Sequence, residues 1–180
     1  MDTQSGYDRF EASLAALDVD VTRTDPARFE TTIETVTREP AIGIPLPFEG
    51  VSLPEWVDTD PTPATLESAN TGITAASFGI ADYGSVVLPA TPEGGEQVSL
   101  FPKLHVAVLD ERTILPDMRT AIDRLGPRLR DGDSAILATG PSATADMGDL
   151  VRGAHGPEAV HVVVIERPKE NTEETNEEAR

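Results

Sequence analysis

Four short apolar runs restrict the fold open to this chain: Ser85–Leu88, His105–Leu109, Ser134–Ala138 and His161–Ile165. Their length and their valine and isoleucine content suit buried strands better than helices. Between the second and third runs, Ile114, Leu115, Met118, Ala121, Ile122 and Leu125 mark one helical face, which Gly126-Pro127 is expected to end or kink. The Ala145–Arg152 segment has the length of a helix of about two turns. After Val106 the order therefore reads strand, helix, strand, short helix, strand. That alternation predicts an α/β fold with a mostly parallel sheet flanked by helices.

Upstream, Phe10, Leu14 and Leu17 fall at i, i+4, i+7, and Phe29, Ile33 and Val36 repeat the spacing after Asp25-Pro26, a cap followed by a first-turn proline. Two amphipathic helices are expected to open the chain. From Pro40 to Pro63 six prolines break every period, leaving room for one short strand at Ala41–Ile44. The expected organisation is N-terminal helices and a Pro-rich connection over 1–64 packed on an α/β core over 65–168. From Glu170 the tail has no apolar residue but Ala179, so 169–180 is expected to be a disordered acidic tail. With 180 residues the domain buries roughly 70% of its unfolded surface. Aromatics are only 4%, so Val, Ile, Leu and Ala must fill that interior.

Charge narrows the partners. Against 14 basic residues stand 32 acidic ones, a formal charge of -18, and Lys103 and Lys169 are the only lysines. Acids spread along a folded chain, with almost no lysine, read as a surface kept soluble by high salt, so a halophilic source is expected. Nucleic acid is excluded as a partner, because phosphate neutralisation needs a basic face. The chain has no cysteine, hence no disulfide, no thiolate nucleophile and no cysteine-ligated cluster of its own. The N-terminus has no signal-like apolar stretch, and no uncharged apolar run approaches 18 residues. A cytoplasmic protein without a membrane span is expected.

Three loop clusters beside strand ends carry the candidate chemistry. Asn70–Thr74 leads to Asp82-Tyr83-Gly84-Ser85, a sharp turn that either presents a carboxylate and free N–H groups or simply joins a hairpin. Leu100–His105 brings Lys103, a rare cation suited to a carboxylate or phosphate, next to His105, which is either a ligand or an ordinary half-buried side chain. Gly140–Asp146 reads as a strand-to-helix loop whose N–H groups and hydroxyls face an anion, unless Ser142 or Thr144 merely caps the helix. Strand carboxyl ends in a parallel sheet form the usual ligand crevice, which favours this loop. Further on, Gly153–Pro157 leaves His155 accessible, and a folded-back loop would pair it with Asp146 for acid–base work. No Gly-x-Ser-x-Gly elbow makes Ser142 a nucleophile. The candidate catalytic groups are thus Asp82, Asp146 and His155. The candidate ligand-binding set is Thr74, Gly84, Ser85, Lys103, His105, Gly140, Ser142, Thr144, Asp146 and His155. No spacing on one element joins Asp82, His105, Asp146 and His155 as metal ligands, and neither metal nor cofactor is expected.

Taken in order, Asn70–Thr74, Ile80–Ser85, Leu100–His105, Gly140–Asp146 and His155–Pro157 resemble the LUD-domain family, and within it the small LutC-like lactate-utilisation proteins. The resemblance covers about residues 65 to 166; with the acidic surface it suggests a member from a halophilic archaeon. It implies the fold shared by ribose-5-phosphate isomerase, glucosamine-phosphate deaminase and CoA transferases. It also implies an accessory subunit of L-lactate oxidation, working beside iron–sulfur subunits resembling LutA and LutB and holding a small anionic ligand in a pocket. The alternative, by fold analogy, is an enzyme acting on a sugar phosphate or acyl-CoA. Whether the chain catalyses anything, and whether it forms a homo-oligomer, the sequence leaves open. Two departures stand out: Asp82-Tyr83-Gly84-Ser85 replaces the family's frequent acidic-Thr-Gly-Thr turn, and Ala143 stands where an arginine is frequent. Without that guanidinium, a tightly held phosphate or carboxylate loses its best partner.

Overall fold

The computed structural model describes residues 3–146 and 149–167. Helix α1 (Thr3–Ala15) buries Tyr7, Phe10 and Leu14, so the expected period holds and Leu17 packs from the turn beyond. Strand β1 (Asp20–Thr24) follows. The Asp25 side chain then accepts from the Arg28 N–H, capping a 3-10 turn that leads into α2 (Phe29–Val36), where Phe29 and Ile33 are buried. Strand β2 (Ala41–Gly43) is the one strand of the Pro-rich stretch, and α3 (Pro63–Ser68) starts from a Thr62 capping box.

The remaining elements are β3 (Thr71–Ala75), β4 (Phe78–Ile80), β5 (Ser85–Pro89), α4 (Gly95–Leu100), β6 (Leu104–Asp110), β7 (Ile114–Leu115), α5 (Met118–Arg130), β8 (Ala135–Thr139), β9 (Ala143–Asp146), β10 (Asp149–Arg152) and β11 (Ala159–Ile165). Five strands form a wholly parallel sheet in the order β1-β11-β6-β3-β2. Its central strands are buried on both faces. Ala107, Leu109, Val162 and Val164 join Phe10 and Leu14 on one side, while Val106, Val108, Val163 and Ile165 join Phe29 and Ile33 on the other. The α/β expectation of a mostly parallel central sheet flanked by helices therefore stands.

Three expectations change. The runs at β5 and β8 leave the parallel sheet for a second one, ordered β7-β4-β5-β8, where β5 is antiparallel to both neighbours. Val86 and Leu88 face the parallel sheet, and Val87 faces α5 with Phe78, Ile80, Ala121 and Leu125. Apolar run length reports burial but not which sheet a strand joins. The Ala145–Arg152 segment is no helix: β9 and β10 pair antiparallel with Asp146 opposite Asp149 and Thr144 opposite Val151. The β-branched cross-strand pair of Thr144 and Val151 favours strands, and an isolated helix of two turns is marginal. Finally, α5 continues one turn past Gly126-Pro127, with Ile122 half exposed and Ile114 and Leu115 forming β7 ahead of it. Leu125 is the last residue the packing requires there, and Arg128 and Arg130 favour the helix end electrostatically. Among the described residues no helix is long and apolar enough to cross a membrane.

Candidate functional site

The site is built where α4 turns into β6. Pro102 is buried at that turn, and Gly72 of β3 lies so close to α4 that a Cβ there would overlap the Val98 carbonyl oxygen. His105, the second residue of β6, therefore enters the space between the two sheets at 1% exposure. Its Nε2 shares a 2.9 Å hydrogen bond with Thr74 Oγ1, itself buried on the neighbouring strand. Burial pushes the His105 imidazole down to a pKa of about 4, so the ring is neutral at ordinary pH.

Beside it lies a cavity of about 220 Å³. The second sheet gives Leu88, Ile136 and Ala138, the parallel sheet gives His105 and Val160, and α4 gives Ser99 and Leu100. Gly140, Ser142, His155, Gly156 and Pro157 complete the lining. Gly140 takes φ +73 to turn the chain out of β8 against Leu17. Ser142 N–H donates to the Pro157 carbonyl at 2.9 Å and the Ser142 carbonyl accepts from Gly153 N–H at 3.0 Å, so the two loops are stitched together. The floor, with Leu88, Ser99, His105 and Val160, is closed, whereas Leu100 and His155 are exposed at the mouth.

Four of the residues singled out from sequence, His105, Gly140, Ser142 and His155, thus meet around one cavity, and Thr74 reaches it through His105. Asp82, Gly84, Ser85, Lys103 and Thr144 are not among its lining residues. Ser85 Oγ is 2.6 Å from Thr139 Oγ1 and ties β5 to β8, while Gly84, at φ +59, lets the turn approach the backbone of Ser13 and Leu14. Asp82 sits in the β4–β5 hairpin turn, and its carboxylate accepts from Arg9 at 2.7 Å, both side chains being largely exposed. Lys103 is exposed, and what it contributes is its carbonyl, which accepts from Ala159 N–H. Thr144 lies in β9, and the Asp146 side chain lies outside the described residues.

Two readings of the Gly140–Asp146 loop need correction. Its second part is strand β9 and not the start of a helix, so no helix N-terminus supplies donors. Of the parallel sheet the cavity meets the amino ends of β6 and β11, and the carboxyl end of β8 that also borders it belongs to the other sheet. Sequence reasoning missed the aliphatic lining, Leu88, Ile136, Ala138 and Val160, since nothing marks a lining aliphatic apart from a core one. It also missed Ser99, whose hydroxyl donates to the Glu96 carbonyl. Among the described residues no lysine or arginine lines the cavity, so they offer imidazole and hydroxyl groups among apolar walls, without a positive charge for a phosphate. Among the described residues no three His, Asp or Glu side chains converge as metal ligands.

A family profile described as LUD domain matches residues 58–165, the stretch that contains β3 to β11 and every lining residue of the cavity. The chain belongs to the LUD-domain family. A protein of Bacillus licheniformis named lactate utilization protein C is 38% identical over 129 residues, covering 67% of this chain and 54% of that protein. The Bacillus subtilis protein of the same name is 37% identical over 130 residues, with 67% and 54% covered. The Deinococcus radiodurans one is 31% identical over 127 residues, with 68% and 59% covered. The chain thus spans about half the length of the curated relatives it matches. Among solved structures, a DUF162 family protein from Deinococcus radiodurans superposes with a TM-score of 0.71 at 19% identity, over 92% of this chain and 99% of that one. This LUD domain shares its fold.

Proposed function

We propose that this LUD-domain chain serves L-lactate utilisation in the cytoplasm as an accessory subunit that docks on iron–sulfur proteins resembling LutA and LutB. The identity of 37–38% to proteins named lactate utilization protein C carries the reading. Composition supports the division of labour: oxidising a 2-hydroxy acid releases two electrons, and a chain without cysteine offers no thiolate ligands for a cluster to take them. Within this reading the cavity holds the place of the expected small-anion pocket. Its hydroxyl and imidazole groups suit a neutral or weakly charged ligand better than a phosphate ester. For the same reason sugar-phosphate or acyl-CoA chemistry is the weaker alternative. The acidic surface is read as an adaptation to a high-salt cytoplasm.

The test is affinity capture of the tagged chain from its host grown on L-lactate, with washing in high salt. Iron and acid-labile sulfide should co-elute in stoichiometric amounts, and less when the host grows on another carbon source. A chain that elutes without iron while lactate is being consumed would overturn the proposal.

A further inference from the structure

The geometry points to the cavity beside His105 as a site for an uncharged ring with a hydrogen-bonding oxygen at each end, a ligand of the quinone or quinol class. The inference deepens the lactate reading and rests on it for its meaning, since electrons leaving a 2-hydroxy acid need an acceptor. The binding itself is argued from the cavity.

Shape comes first. Leu88, His105, Ile136, Ala138 and Val160 line the cavity from the two sheets, and α4 and the loops at 140–142 and 155–157 supply the rest. At this edge the second sheet contributes Ala138, and Gly140 follows it, so small residues leave the space unfilled. An engineered apolar cavity of about 150 Å³ accepts benzene, so about 220 Å³ leaves room for a substituted ring.

Polarity sets the two ends. At the floor His105 is 1% exposed; Nε2 is held by Thr74, and Nδ1 has no hydrogen-bond partner among the described residues. A polar ring atom without a protein partner on a residue that lines a cavity can take a ligand oxygen. At the mouth the Ser142 backbone is committed to Pro157 and Gly153, while its hydroxyl and the exposed His155 ring have no partner among the described residues. Between these ends Leu88, Ile136 and Val160 offer only aliphatic surface.

Charge decides against the competing classes. Burial keeps His105 neutral down to about pH 4, and among the described residues no guanidinium or ammonium lines the walls. A phosphate or carboxylate driven to the floor would lose its hydration without gaining a counter-charge. A quinone carbonyl or quinol hydroxyl has no such penalty.

The experiment uses the purified full chain in high-salt buffer with duroquinone and its quinol as probes. Binding is followed by saturation-transfer NMR on the ring methyl groups and by equilibrium dialysis. Wild type should bind, and pyruvate or ribose 5-phosphate should not compete. Ala138→Phe, which fills part of the cavity, should weaken binding about tenfold or more, and His155→Ala at the exposed mouth should weaken it a few-fold. Circular dichroism checks that both variants fold; should Ala138→Phe misfold, His155→Ala and the shift of the His105 ring resonances on titration decide. The inference is overturned by a folded wild type that binds neither probe, by binding that the folded variants leave unchanged, or by displacement with pyruvate or ribose 5-phosphate. Because the isolated chain is used, these results stand apart from the iron co-elution that tests the lactate reading.

Discussion

Thr74 and His105, on adjacent parallel strands, point into the same inter-sheet space and join Oγ1 to Nε2 at 2.9 Å, closed off from water. That pair makes the fold sensitive to acid. Burial lowers the His105 pKa to about 4, whereas the unfolded chain titrates near the ordinary 6.5, so between those values the unfolded state binds more protons. The contribution is complete above about pH 6.5 and is lost as pH falls toward 4. The largest loss is about 3 kcal/mol. His161, bonded to Thr22 and also lowered, chiefly by burial, acts in the same direction. Denaturant titrations at pH 4.5 and 7 in constant salt should show wild type losing more stability than His105→Gln; equal losses would mean the imidazole titrates normally.

Gly72 is needed for a reason that its own backbone angles do not reveal. A Cβ at this position would overlap the Val98 carbonyl oxygen and come within 2.9 Å of Pro102 Cγ, so α4 would have to move away from β3. Gly72→Ala is expected to cost about 1–3 kcal/mol, as overpacking does. Because α4 carries Ser99 and Leu100, the cavity should change with it. Equilibrium unfolding of the variant measures the first effect, and a cost within error would show that α4 yields freely.

How much of this was legible in the sequence follows from what each signal measures. Periodicity found α1, α2 and the start of α5 because one face of each is buried. The apolar runs found β5, β6, β8 and β11, but β5 is as buried on both sides as β6 and β11, and edge strand β8 reads as apolar too, so the partition between parallel and antiparallel strands was not readable. The glycine, serine and histidine loops at 140–142 and 155–157 were legible as candidates, because such residues are costly in regular elements. Their convergence on His105 depends on pairings across more than thirty residues, which no local pattern encodes. Asp82 misled for the complementary reason: a carboxylate in a tight turn looks the same whether it serves a ligand or Arg9.

Arg23 holds together the ends of three parallel strands. Its guanidinium lies 2.8 Å from Glu111 and 2.9 Å from Glu166, with Cζ 4.2 Å from the centre of the Tyr7 ring. Glu111 is nearly buried, so Arg23→Ala leaves a carboxylate without its counter-charge and should cost about 3 kcal/mol. Arg23→Lys should recover only part, since an ammonium does not match the fork. In a double-mutant cycle, adding Glu111→Gln should cost less in the Arg23→Ala background than alone. Additivity would show that the pair is not coupled.

Asp82 serves as the contrasting case. Its pair with Arg9 is exposed on both sides, and such pairs contribute less than about 1 kcal/mol. Asp82→Asn should leave unfolding stability almost unchanged, and duroquinone binding with it. A large loss of binding would return this carboxylate to the site.

Salt dependence tests the surface as a whole. With 32 acidic residues against 14 basic ones, most carboxylates cannot pair, and their repulsion opposes the compact state. Screening shortens the reach of that repulsion from about 10 Å at 0.1 M to about 3 Å at 1 M salt. If the surface is adapted to high salt, the thermal midpoint should rise by about 10 °C or more between 0.1 M and 2 M KCl, a shift of the size several kcal/mol produces in a domain this large. Charge should be the cause. A variant with several exposed glutamates changed to glutamine, among them Glu30, Glu34 and Glu67, should therefore start from a higher midpoint at 0.1 M and gain less from added KCl. Parallel curves for variant and wild type would assign the gain to general salting-out of apolar surface, and the acidic composition would then need another explanation.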